Sequence, residues 1–146
     1  MISEDDKIKI FSITIILDIL LLSILKLSKL NIFDSWFVYV ILISHLLFYG
    51  SLTLYNKKVL DILHVVIFAA LGASIFLSNI YLLLTCLLLL IMIQILWLIE
   101  SRCILNESGE IWGYGDIIQV GTIIWTVLLS LKIFYSLRKS QCTNLK

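Results

Sequence analysis

Proline is absent from all 146 residues, and only 14% of them are charged. The first absence removes the commonest cause of a kinked helix. The second falls well short of the ~25% found in an ordinary soluble domain, whose helices need a polar outer face. Histidine occurs twice and cysteine three times, at scattered positions. No nucleophile motif, phosphate-cradling loop or two-cysteine metal pair is present, so the residues give no positive sign of catalysis and imply no cofactor. A net charge of +1 with no basic patch argues against a nucleic-acid partner.

What fills the chain instead is apolar: 61% of it is hydrophobic and the mean hydropathy is +1.08. From Ile10 to Tyr135 the apolar band is cut only at 26–34, 56–58, 78–79 and the longer loop 101–116. The pieces between the cuts approach the roughly 20 residues that a helix needs to cross a bilayer core of ~30 Å. The pattern predicts an all-α, polytopic integral membrane helix bundle. Its single transmembrane domain has spans at about 10–30, 35–55, 59–77, 80–99 and 117–137. The alternative is four spans with the first helix lying on the surface, because Lys9 and Lys26 leave sixteen residues between them and Asp18 sits in the middle. A soluble bundle is disfavoured by residues 80–98, where only Thr85, Cys86 and Gln94 interrupt the apolar run. Glu4-Asp5-Asp6 stands where a signal peptide would be basic.

Five spans put the ends of the chain on opposite sides. Side A holds the N-terminus, the 56–58 turn and the long loop; side B holds the 26–34 loop, the 78–79 turn and the C-terminal tail. Lys7, Lys9, Lys57, Lys58 and Arg102 lie on side A, against Lys26, Lys29, Lys132, Arg138, Lys139 and Lys146 on side B. By the positive-inside rule this margin of one points to a cytoplasmic C-terminus. Cys86 falls inside the fourth span, Cys103 on side A and Cys142 on side B, so five spans leave no pair able to form a disulfide within the chain.

Ionisable side chains inside the apolar band are the sharpest functional clues, since a charge at a helix centre costs about 2.5–3.5 kcal/mol on insertion scales. If the first two helices reverse near Ile32, Asp18 and His45 share a depth near the midplane, and contact would stabilise both. The same counting places Asp61, His64, Gln94 and Glu100 in a layer nearer side A, as one polar pocket opening towards the long loop. Three readings compete for that pocket: polar contacts joining helices, a proton or substrate pathway, and a metal or haem site. The two histidines differ in depth by five residues, or about 7 Å at ~1.5 Å per residue, which disfavours one haem held between them. In the third span, Ala69 with Ala73 and Ala70 with Ser74 form small faces suited to packing within the chain or to a homodimer seam.

The loop 101–116 is the least generic stretch. Ile111, Trp112 and Tyr114 suit the headgroup level as an aromatic belt, and Arg102, Cys103, Trp112 and Tyr114 are candidates for a lid over the pocket. Asn106-Glu107-Ser108 is a glycosylation sequon. Cys103-Ile-Leu-Asn-Glu107 resembles the Cys-Pro-Leu-Thr signature of small uncharacterised membrane proteins of the DUF2784 type, whose earlier helices carry a histidine and a glycine, as do His64 and Gly72. Ile104 stands in place of the proline and Asn106 in place of the threonine. The resemblance covers about His64 to Glu107 and implies a helical membrane fold without assigning any catalytic residue.

Together these observations predict a small multi-pass membrane protein acting as a structural or assembly subunit. Its partners would be the lipid bilayer and either a second copy or other membrane proteins. The rival classes are a small transporter or proton-coupled carrier using the buried acids and histidines, and a haem- or metal-binding membrane protein.

Overall fold

The computed structural model describes residues 4–54, 57–100 and 115–143, which form five α-helices. They are α1 (Glu4–Leu27), α2 (Ile32–Leu54), α3 (Lys57–Ala73), α4 (Ile80–Glu100) and α5 (Gly115–Thr143). All five carry a stretch long and apolar enough to cross a membrane. No strand occurs among the described residues. The fold is the all-α helix bundle that the hydropathy pattern predicts, and its five helices match the five predicted spans in number and apolar length.

Boundaries shift where local chemistry overrides hydropathy. In α1, described from Glu4, the acidic Glu4, Asp5 and Asp6 of the first turn suit the positive end of the helix, and Lys26 in its last turn suits the negative end. Helix α2 starts three residues before the apolar run would have it, because Asn31 caps it: its Oδ1 accepts the Asp34 backbone N–H at 2.7 Å. Asn79 does the same for α4, accepting the Tyr81 and Leu82 amides at 2.9 and 3.2 Å. At the end of α3 the helix tightens into a 3₁₀ turn, Ser74–Phe76, where the Ser74 hydroxyl donates to the Leu71 carbonyl at 2.5 Å. The chain then leaves in extended conformation at Leu77.

Helix α1 packs against both α2 and α4, α3 lies on α2, and α5 lies on α4 and on the 3₁₀ turn. The core falls into two clusters. One, towards side B, gathers Leu21, Val38, Leu77, Leu82, Leu90 and Leu129. The other, towards side A, gathers Ile10, Phe48, Leu52, Leu60 and Leu63. The outer faces are equally apolar: Ile19, Leu46, Ile62 and Leu131 are exposed, Leu46 by 71%. In water such a surface would drive aggregation; in a bilayer it is the solvent-facing side. Ala69 is among the exposed positions, and a Cβ built on Gly72 meets nothing within 4 Å. Among the described residues, Gly72 therefore meets no closely approaching helix.

Candidate functional site

Near the middle of α1 and α2, Asp18 and His45 are in direct contact, with His45 Nδ1 2.6 Å from Asp18 Oδ1. Tyr49 completes the group by donating its hydroxyl to Asp18 Oδ2 at 2.7 Å. His45 and Tyr49 are four residues apart and so share one face of α2. Phe11, seven residues before Asp18 on α1, stacks on the Tyr49 ring with centroids 5.2 Å apart and planes 5° from parallel. The side chains of His45 and Asp18 are only 7% and 20% exposed. Both carboxyl oxygens of Asp18 are thus engaged, as burial near the midplane requires. An ionised Asp18 has no proton to give, so the proton of the 2.6 Å contact then belongs to His45 Nδ1. Tyr49 escaped the sequence reading. Its signal was the four-residue step from His45, which points it at the same acid.

Asp61 and His64 are electrostatic neighbours on α3, but Gln94 and Glu100 turn to other helices instead of joining them in one polar pocket. Gln94 donates to the Thr126 hydroxyl of α5 at 2.8 Å. Glu100 pairs with Lys9 of α1 at 2.5 Å. His64 stacks on Phe68, with centroids 5.8 Å apart, and lines a partly open cavity between α1, α2, α3 and α4. Asp61 lies on the exposed surface. Counting residues from a turn fixes depth but not direction around the helix. Two three-residue steps from Gln94 to Glu100 drift by about 120° when a turn takes 3.6 residues, which is enough to change the neighbouring helix.

The cavity has a volume of about 110 Å³. Its walls are mostly aliphatic and aromatic, from Ile10, Ile13 and Leu17 through Phe48 and Phe68 to Ile93 and Trp97, with Thr14, His45 and His64 as its polar members. Cys86 and His45 line a smaller neighbouring void of about 40 Å³. No three His, Cys, Asp or Glu side chains converge on a point that could hold a metal ion among the described residues. Arg102, Cys103, Trp112 and Tyr114, the candidate lid, and the Cys103–Glu107 stretch lie outside those residues.

A second polar centre at side B was not foreseen. Asp34 is only 1% exposed, and its two carboxyl oxygens accept the Ser78 and Asn79 amides at 3.0 and 2.9 Å. The acid therefore sits at the N-terminal end of α4, where unpaired amides and the helix dipole favour negative charge. From α5, Lys132 reaches the far end of α3, donating to the Leu77 carbonyl at 2.6 Å and to the Ile75 carbonyl. Trp125 donates to the Leu71 carbonyl at 2.6 Å. Together these side chains satisfy carbonyls that the 3₁₀ turn strips of helical partners. The available signals were Asn31 three residues before Asp34, which marks a helix start, and a lone lysine inside the last apolar run, which needs partners of its own.

No protein-family model, curated protein or solved structure matches the chain.

Proposed function

We propose that this multi-pass membrane protein acts as a structural or assembly subunit, working through its helix surfaces rather than through catalysis. The observation that supports this reading is the use made of its interhelical polar groups. Asp18 joins α1 to α2, Lys9 joins α1 to Glu100 of α4, Gln94 joins α4 to α5, and Trp125 and Lys132 join α5 to the end of α3. Asp34 joins α2 to the α3–α4 turn. Polar side chains so engaged fix one helix arrangement, leaving broad apolar faces for lipid or a partner. Purification of the tagged chain in mild detergent is expected to retain another membrane protein, or a second copy, in fixed ratio. A monodisperse, partner-free monomer would overturn the reading.

A proton-coupled carrier is the second reading, favoured by the placement of Asp18, His45 and Tyr49 near the midplane with His45 also at the cavity. Its mark would be proton-dependent flux in proteoliposomes that disappears in Asp18→Asn while thermal stability is kept.

The orientation belongs to the same proposal, with the C-terminus cytoplasmic. Tags at the two ends are expected to be reached by protease from opposite sides of the membrane, the C-terminal tag from the cytoplasmic side. Protection of both tags from the same side would remove the five-span topology.

A further inference from the structure

The cavity between α1, α2, α3 and α4 combines an apolar wall with an unoccupied polar atom. His45 Nδ1 is engaged by Asp18, and no described residue hydrogen-bonds Nε2. No fully buried side-chain nitrogen or oxygen lacks a partner among the described residues. Nε2 therefore keeps accessible surface, and His45 lines both this cavity and the smaller void beside it. In the tautomer that donates Nδ1–H to Asp18, Nε2 presents a lone pair. Thr14, the neighbouring polar wall residue, already donates its hydroxyl to the Ile10 carbonyl at 2.8 Å, which leaves only acceptor capacity on its oxygen. The polar atoms on the α1–α2 side of the cavity thus ask for a donor.

We infer that this cavity binds a small apolar molecule carrying one hydroxyl group, whose O–H donates to His45 Nε2. At about 110 Å³ the space is of the order that takes a single aromatic ring, given that an apolar cavity of about 150 Å³ stays dry and binds benzene. The walls supply contact with the ring through Phe48, Phe68, Leu89 and Ile93. Water is a poor occupant, because it needs two to four polar partners and these walls offer few. A hydroxylated ring reaches such a site through the bilayer, where it partitions. This inference is independent of the assembly role: a subunit with or without partners would still carry the site.

The test uses the full chain in mild detergent with three probes followed by ¹⁹F NMR: 4-fluorophenol, fluorobenzene and 4-fluoroanisole, the last two lacking a hydroxyl donor. Saturable binding of one 4-fluorophenol per chain is expected, about tenfold tighter than either of the others, as one hydrogen bond in an apolar site supplies. Ile93→Trp fills the cavity and is expected to abolish binding of all three. His45→Asn keeps an N–H for Asp18 but removes the ring nitrogen at the cavity, so the preference should fall to near onefold while fluorobenzene still binds. Equal affinity for the three probes in the unmodified protein, absence of saturable binding, or binding that survives Ile93→Trp would each overturn the proposal. The probe comparison in the unmodified protein decides the matter even if His45→Asn fails to fold.

Discussion

Asp34→Ala is expected to destabilise the protein by about 3–6 kcal/mol, since hydrogen bonds to a charged group contribute ~1.5–3 kcal/mol each and two are lost together. The cost is large because the amides of Ser78 and Asn79 both spend their hydrogen bonds on Asp34, which is itself almost wholly buried. Unpaired amides at the start of α4 would also lose the negative charge that favours that helix end. Asp34→Asn provides the internal comparison. Its amide keeps one acceptor oxygen and turns an N–H₂ towards the second amide, so about half of the loss should return. Reversible unfolding in mixed micelles measures both variants. If Asp34→Ala shifts stability by less than about 1 kcal/mol, the value of an ordinary neutral hydrogen bond, Asp34 is not the junction described here.

The contrast between Asp34 and Asp18 shows what the sequence could and could not reveal. Asp18 interrupts an apolar run, so its cost in hydrocarbon is visible at once, and the short turn at 28–31 places α2 residues beside it with little freedom. His45 follows from that counting. Asp34 instead lies at the edge of an apolar run, where an acid would ordinarily be hydrated, and nothing local marks it as buried. Its partners are backbone amides some 44 and 45 residues away, which carry no residue-type signature. Lys132 is hidden for the same reason, because its acceptors are carbonyls exposed only by the 3₁₀ turn. Depth was legible throughout, since it depends on residue number. Direction around a helix was not fixed by that counting, and Glu100, placed in one pocket with Gln94, turns to Lys9 instead.

Replacing His45 with leucine is expected to cost more than replacing its partner Asp18 with leucine, by about 2–3 kcal/mol against 1–2 kcal/mol. The asymmetry comes from what each change leaves behind. Without His45, Asp18 stays near the midplane with Tyr49 as its one remaining hydrogen-bond partner, and an under-compensated charge in hydrocarbon is the costlier residue of the two. Without Asp18, the imidazole and the phenol are left neutral and partly able to turn towards cavity or backbone. The double variant Asp18→Leu with His45→Leu should therefore be no less stable than His45→Leu alone, because it removes the stranded acid as well as its partner. A double-mutant cycle in detergent isolates this coupling, and Tyr49→Phe, expected near 0.6 kcal/mol as for a typical interhelical contact, calibrates the third member. Additive single effects, with the double variant losing the full sum, would mean that Asp18 and His45 stabilise the bundle independently, and the 2.6 Å contact would then not be what holds α1 to α2.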